Sequence, residues 1–285
     1  MTRIDALLAA GQTTSFEFFP PKSEGERATL EKTIANLEPL RPSFVSVTYR
    51  GGRESRQRTY DLVTAMADRG IFTPMAHLIC VAHTRAELVE ILESYLASGI
   101  VNLMALGGDA PTHPDAITGE LTYASELVAL ARSIGDFSIG VAAHPDGHPR
   151  SPSMTTDRDR LAEKLQMADF AVTQMLFEAD RWSALVDELH ERGVDKPVLP
   201  GIMPVTTLGA VDRMAQMGSV VPTWLVERLH RAHAEGGDAA VRAAGIDLAT
   251  ELCAELLQRG VPGLHFYTLN LSTATREITE RLAGR

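Results

Sequence analysis

A single carboxylate stands in the middle of an aromatic stretch near the start of the chain. The segment TSFEFFPPK, residues 14–22, has the apolar character of a buried strand, and Glu17 lies at its centre. A buried carboxylate is costly unless a partner meets it, and burial favours its protonated form. We therefore expect the neighbouring Phe side chains to keep Glu17 protonated near neutral pH, ready to act as a general acid.

Eight apolar segments alternate with segments of helical periodicity and predict the elements that position this carboxyl. They are residues 14–19, 43–49, 73–79, 100–106, 137–143, 170–177, 197–203 and 263–269. Nearly continuous apolar strands that alternate with helices predict an α/β fold with a parallel sheet, closed into a (βα)8 TIM barrel. No linker or repeat divides residues 1–285, so we expect one barrel domain.

Helix signals support this pattern. Thr84 with Glu87 predicts a capping box, and Ser23 with Glu26 predicts another. The seventh connection, residues 206–259, is long enough for two or three extra helices, and the segment HAEGGD predicts a break within it.

Polar residues recur late in seven of the eight predicted strands or just beyond them. In a TIM barrel these ends form the active-site face. Each residue alone could be a hydrogen-bonded packing residue, but convergence from separate strands predicts a site. The set is Glu17, Thr48, Tyr49, His77, Asp109, His144, His148, Gln174, Tyr267 and Asn270.

Three chemistries can be weighed at this face. Schiff-base chemistry needs a lysine inside the barrel, whereas all four lysines fall outside the predicted strand interiors. Metal-assisted hydrolysis has support in HPDGH, residues 144–148, with His77 and Asp109 as further ligands. In the third chemistry, Asp109 and Gln174 hydrogen-bond a polar ring while Glu17 donates a proton. The metal site stays open as an alternative.

Composition narrows the partners. The net charge of −10 disfavours nucleic acid, which is held by excess Lys and Arg. One basic run, YRGGRESRQR at 49–58, is either a solvated loop or a local site for an anion. No apolar run approaches the roughly 18 residues of a membrane span, and the start is too short and acidic for a secretory signal, so we predict a cytoplasmic protein. Cys80 and Cys253 form no CxxC pair and predict buried thiols.

Nine segments together resemble the methylenetetrahydrofolate reductase family from end to end. They are SFEFFPPK at 15–22, FVSVTY at 44–49, AHLIC at 76–80, ALGGD at 105–109, YASEL at 123–127, VAAHPDGHP at 141–149, TQMLF at 173–177, PGIMPV at 200–205 and HFYTLN at 265–270. The resemblance implies a (βα)8 barrel. It also implies reduction of 5,10-methylenetetrahydrofolate to 5-methyltetrahydrofolate, with hydride passed from NADH or NADPH to a bound FAD and then to the folate.

The resemblance also implies roles for individual residues. Glu17 matches the acid that protonates N10 of the folate, and the substrate-contact positions are Asp109, Gln174, Tyr267 and Thr48. Positions that match the family's cofactor contacts, some of them shared with substrate, are Thr48, His77, Asp109, Ala142, His148, Asp157 and Lys164.

Departures from the family's pattern are concentrated at the flavin positions. Gly107 replaces an Arg, His144 replaces a Tyr, and Arg160 and Glu163 replace an Asn and an Arg. An acid in place of a cation reverses an attraction for pyrophosphate. Around the nicotinamide and folate, the changed positions are Ala210, Met214 and Leu271.

These departures predict that FAD is bound weakly or not at all. Hydride would then pass directly from NADH or NADPH to the folate, with Arg50 and Arg53 of the basic run as phosphate contacts. The alternatives are the usual FAD-dependent enzyme that works by a ping-pong mechanism, and a folate-binding protein without turnover.

Overall fold

Eight parallel strands close into one barrel, as the alternating pattern predicts. The computed structural model describes residues 1–49, 53–81, 83–108, 119–216 and 219–284. Each strand lies within one or two residues of its predicted bounds at either end. The strands are β1 Thr13–Phe18, β2 Phe44–Val47, β3 Pro74–Ile79, β4 Asn102–Leu106, β5 Ser138–Ala143, β6 Phe170–Met175, β7 Val198–Ile202 and β8 Gly263–Tyr267.

One helix precedes β1, and the others follow the strands around the outside of the barrel. They are α1 Ile4–Ala10, α2 Glu24–Leu37, α3 Arg53–Arg69, α4 Arg85–Ala97, α5 Ala124–Ile134, α6 Met154–Met167, α7 Ala179–His190, α8 Leu208–Gln216, α9 Thr223–Gln258 and α10 Thr273–Ala283, with a 3-10 turn at Glu38–Leu40. No helix in these described ranges is long and apolar enough to cross a membrane. Cys80 and Cys253 are buried free thiols, as predicted.

Side-chain alternation along β1 decides what surrounds Glu17. Phe16 and Phe18 belong to the large apolar cluster between the barrel and its helices, and Phe16 contacts Phe266 edge-on at 6.1 Å between ring centroids. Successive side chains of a strand point to opposite faces of the sheet. The expectation that phenylalanines enclose the Glu17 carboxyl was therefore wrong, because they lie on the other face of the strand.

The first helix closes the N-terminal end of the barrel, a role that the sequence patterns did not predict. Ile4 and Leu8 of α1 join an apolar cluster with Phe44, Met75 and Phe170. The Asn102 side chain accepts a hydrogen bond from the Ile4 backbone N–H at 2.9 Å and donates one to the Thr2 carbonyl at 3.0 Å. Asn102, at the start of β4, thus holds the segment that begins α1 against the end of the barrel.

The predicted helix starts and the predicted break are confirmed. Thr84 and Glu87 form a full capping box at α4. At α2, Ser23 accepts from the Glu26 N–H, while the Glu26 carboxylate accepts from Lys22 N–H rather than from Ser23. The seventh connection contains α8 and α9. Helix α9 is interrupted at Gly236 and Gly237, where Gly237 adopts a φ of 63° that favours glycine.

Gly245 sets how closely α9 approaches the C-terminal end of β7. A Cβ atom at this position would lie 1.8 Å from the Val205 carbonyl oxygen, so a side chain would force the helix away from the loop. The helix also contributes Leu225, Leu229 and Val241 to an apolar cluster over β6 to β8. Gly245 therefore allows α9 to pack closely against this side of the barrel.

We predict that Gly245→Ala destabilises the protein by about 2 kcal/mol or more. The added methyl group would clash with the Val205 backbone, which cannot move aside as a flexible side chain could. The free energy of unfolding from urea denaturation measures this. Gly25→Ala in α2 is the matched control, since the nearest atom to its added Cβ is 4.0 Å away. Equal stability of the two variants would contradict the close approach.

Candidate active site

The Glu17 carboxylate lies inside the barrel among polar side chains of three other strands. Its Oε2 lies 3.5 Å from Ser46 Oγ, 3.5 Å from His77 Nε2 and 3.8 Å from His265 Nε2. Its Oε1 makes no hydrogen bond within the described part of the chain. The side chain is 11% exposed. One oxygen thus faces a cluster of protein donors, and the other is available to a ligand.

His265 is a member of this cluster that sequence reasoning missed. Its Nδ1 lies 2.8 Å from Ser15 Oγ, and its ring stacks on Phe44 at 6.2 Å between centroids. When Ser15 donates to Nδ1, the ring proton lies on Nε2 and faces Glu17. The signal was present in the strand GLHFY, because a polar residue two positions before Tyr267 shares its inward face.

Two buried polar atoms near Glu17 have no hydrogen-bond partner among the described residues. They are Thr48 Oγ1 and His77 Nε2. Desolvation lowers the pKa of His77, against the opposing effect of the Glu17 charge, so the imidazole is neutral at pH 7. Buried polar groups without protein partners are unusual and mark positions for a ligand or water. Both residues are among the predicted contacts.

Gln174 and Tyr267 lie at the C-terminal ends of β6 and β8. The Tyr267 hydroxyl donates to the Thr173 carbonyl at 2.6 Å, and burial, followed by the Glu17 charge, raises its pKa. Gly201 makes room for this ring, since a Cβ there would lie 2.5 Å from it. The Gln174 Oε1 accepts from the Met175 N–H at 3.0 Å. Both predicted substrate contacts therefore lie at the barrel mouth in held conformations.

The corner between β5 and α6 brings together the five predicted cofactor contacts of that region. The Asp157 carboxylate accepts from the His148 N–H at 3.0 Å, and the Lys164 ammonium donates to the Ala142 carbonyl at 2.8 Å. The rings of His144 and His148 meet edge-on at 4.6 Å. This corner is one connected unit.

Burial changes the charge states at the same corner. Desolvation, then the nearby His148, lowers the pKa of His144 to about 4, so its ring is neutral at pH 7. Desolvation lowers the pKa of Lys164 to about 8, although Asp157 opposes the shift. Arg158 donates to Asp157, Glu188 and the carbonyls of His144 and Pro145. The buried guanidinium is thus committed to holding the corner together.

The changed positions at this face differ in where they point. Arg160 and Glu163 are exposed and pair with each other at 3.3 Å. Gly107 follows β4 and leaves the space beside it without a side chain. Ala210 and Met214 are buried in the apolar cluster over β6 to β8, and Leu271 is exposed.

Other predicted residues fall elsewhere. Asp109 and Arg50 lie outside the described residues, and of Arg53 only the backbone at the start of α3 is described. Tyr49 points away from the barrel interior and bonds to His83 Nε2 at 2.6 Å. The Asn270 side chain bonds to both backbone groups of Phe19. These last two are packing residues.

The described ranges contain no cluster of side chains that would support the alternative of a metal site. No group of three or more His, Cys, Asp or Glu side chains there is arranged to hold a metal ion. His144 and His148 face each other, while His77 lies against Glu17.

Among solved structures, the chain is similar to an uncharacterized protein from Clostridium thermocellum that binds two copies of 5-methyl-5,6,7,8-tetrahydrofolic acid. That similarity has a TM-score of 0.71 at 14% identity and covers 98% of this chain and 96% of the other, so it shows the fold.

Curated relatives are closer in sequence. The chain is 35% identical over 274 residues to 5,10-methylenetetrahydrofolate reductase of Escherichia coli (strain K12), covering 95% of this chain and 90% of the relative. It is also 35% identical to methylenetetrahydrofolate reductase 2 of Saccharomyces cerevisiae, where it covers 47% of the longer relative. The sequence profile described as methylenetetrahydrofolate reductase matches residues 3–283. The chain therefore belongs to the methylenetetrahydrofolate reductase family.

Proposed function

We propose that this single barrel reduces 5,10-methylenetetrahydrofolate to 5-methyltetrahydrofolate, taking hydride directly from NADH or NADPH. The observation that carries the proposal is the Glu17 carboxyl inside the barrel, with Oε2 facing Ser46, His77 and His265 and with Oε1 making no hydrogen bond in the described chain. A similar barrel from Clostridium thermocellum binds 5-methyl-5,6,7,8-tetrahydrofolic acid, which supports folate binding by this fold.

The chemistry divides into a proton transfer and a hydride transfer. Glu17 donates its proton to N10, the bond between N10 and the methylene carbon breaks, and an iminium forms at N5. Hydride from C4 of the reduced nicotinamide then adds to the methylene carbon, giving the N5-methyl product and oxidised nicotinamide. The net reaction consumes one proton from solvent, and His265, whose Nε2 lies 3.8 Å from Glu17 Oε2, is placed to pass it to the carboxyl.

The barrel mouth contributes position as well as acidity. Gln174 lies at the end of β6, at a position that the family resemblance assigns to the pterin, and the buried Thr48 Oγ1 and His77 Nε2 have no hydrogen-bond partner in the described chain. Neither His77 nor His144 carries a charge at neutral pH, because desolvation lowers the pKa of each imidazole, and this suits an incoming hydride donor with no charge on its ring. Holding both reactants together converts a two-body reaction into a local one.

The groups at the changed flavin positions fit a bound FAD less well than the residues that the family resemblance implies. Cations strengthen the binding of a pyrophosphate, but Arg160 is paired with Glu163, and the neighbouring Arg158 donates to Asp157, Glu188 and two carbonyls. Gly107 offers no side chain, and the Lys164 ammonium is bonded to Ala142. No step of the proposed mechanism therefore passes through a flavin.

A flavin-dependent reductase is the second candidate, favoured by family membership and by the six matching contacts in the described chain. Those are Thr48, His77, Ala142, His148, Asp157 and Lys164. A folate-binding barrel without turnover is the third. A proton-donating carboxyl speaks against it, since binding alone requires none.

We expect the purified protein to show no flavin absorption between about 350 and 500 nm and to oxidise NADH or NADPH with methylenetetrahydrofolate when no flavin is added. Intersecting initial-rate lines are expected, because both reactants occupy the site together. A bound flavin with parallel lines would contradict direct transfer and favour the second candidate.

We expect Glu17→Gln to lower kcat by about 10²–10⁴-fold, the usual contribution of a positioned general acid. Because the amide keeps the shape and can still contact Ser46, 5-methyltetrahydrofolate should bind within a few-fold of wild type. Equilibrium titration and steady-state rates measure the two effects. If wild type binds folate and shows no turnover with either nicotinamide, with or without FAD, the non-catalytic alternative stands.

His265→Asn should lower kcat about ten- to a hundredfold with little change in KM, because the amide can still bond to Ser15 but has no nitrogen facing Glu17. Thermal melting and folate binding check that the variant folds. His190→Asn, on the exposed face of α7, is the control and should match wild type. Undiminished kcat in His265→Asn would show that the proton reaches Glu17 by another route.

A further inference from the structure

A guanidinium without a carboxylate partner lies at the rim between β4 and β5. Arg150 is exposed, and its Nη2 donates to the Gly108 carbonyl at 3.3 Å. It forms no ion pair with any carboxylate of the described chain, in contrast to Arg158 and Arg160. A guanidinium has five N–H donors, so most of those on Arg150 are available to a ligand.

The loop that carries Arg150 is held in place by its own hydrogen bonds. The Arg150 N–H donates to His148 Nδ1 at 3.1 Å, and the Ser151 N–H donates to the His148 carbonyl at 2.8 Å. The His148 N–H is bound in turn by Asp157 at 3.0 Å. Gly147 makes the turn possible with a φ of 83°. The guanidinium therefore extends from a corner that is itself organised.

The opposite side of the rim is equally fixed. The Val81 N–H donates to the Gly107 carbonyl at 3.1 Å, which ties the exit of β4 to the exit of β3. Gly108 has a φ of 86°, and a Cβ there would lie 2.5 Å from the Val81 side chain. The carbonyl that meets Arg150 is thus held by a residue that must be glycine.

Gly107 opens the space beside the guanidinium. Around the place where its Cβ would stand, the nearest atoms are the Thr122 carbonyl oxygen at 3.8 Å and Arg150 Nη2 at 3.9 Å. A long side chain at position 107 would compete for this space. With glycine there, Arg150 reaches across from the β5 side and presents its donors at the mouth.

We propose that Arg150 binds the pyrophosphate of the nicotinamide dinucleotide, an assignment that rests on the proposed use of NADH or NADPH. A planar guanidinium matches two phosphate oxygens at once, and it stays charged at every working pH. On a chain with a net charge of −10, an unpaired guanidinium beside the catalytic face is a local attraction for a dianion. Arg150 differs in this respect from Arg160, which is paired with Glu163.

Arg150→Gln should weaken NADH binding about ten- to a hundredfold, as expected for loss of a charge-assisted hydrogen-bonded pair. ADP-ribose, which keeps the pyrophosphate and lacks the nicotinamide, should lose a similar factor. Arg150→Lys should lie between the two proteins, because a point charge cannot bond two oxygens in a plane. Equilibrium titrations of each probe on the full chain measure these effects.

Arg160→Gln is the matched control, since it removes an exposed arginine of the neighbouring helix that is already paired with Glu163. It should bind NADH and ADP-ribose like wild type, and every variant should bind 5-methyltetrahydrofolate unchanged. Added salt should weaken ADP-ribose binding more in wild type than in Arg150→Gln.

Equal affinities of wild type and Arg150→Gln for both probes would overturn the assignment, as would an equal loss in Arg160→Gln or failure of wild type to bind ADP-ribose. Flavin-free turnover of wild type tests the proposed function separately. If wild type turns over without flavin and Arg150→Gln binds NADH as tightly as wild type, the proposed reaction stands and the assignment of Arg150 is wrong.

Discussion

The placement of one carboxyl group inside the barrel is the constraint on which the site depends. Glu17 is interior because the two-residue period of β1 sends Phe16 and Phe18 outward to the helices. A carboxyl in that position needs polar company, and the neighbouring strands provide Ser46, His77 and His265. At the other end of the barrel, apolar side chains of α1 and the neighbouring strands close the interior.

Glycines determine how closely side chains and helices approach one another around the barrel mouth. Gly201 admits the Tyr267 ring, and Gly245 admits helix α9 against the end of β7. At the β4 exit, Gly107 and Gly108 leave room for a guanidinium that comes from the β5 side. In each case the glycine has no side chain, so another group occupies the space. The shape of the mouth therefore depends on these glycines as well as on the functional residues.

The guanidinium groups near the mouth differ in whether a carboxylate pairs with them. Arg158 is buried with Asp157 and Glu188, and Arg160 is paired with Glu163, while Arg150 keeps its donors unpaired by any described carboxylate. A family match over residues 3–283 shows that the chain belongs to the methylenetetrahydrofolate reductase family. We propose that the distribution of guanidinium groups bears on the cofactor more than on the folate.

The sequence by itself determined the order of strands and helices, the barrel closure, the helix caps and the break at Gly236 and Gly237, because these follow from local periodicity and turn chemistry. It also identified Glu17, Gln174 and Tyr267 as residues of the strand ends. Only the tertiary structure decided their neighbours. Glu17 meets histidines because β3 and β8 converge on β1, Tyr49 and Asn270 turn to packing, and Arg150 approaches Gly107 across a gap of 43 positions in the chain. Contacts between strands and loops far apart in the chain depend on barrel register and strand-end geometry, which no local pattern of residues specifies.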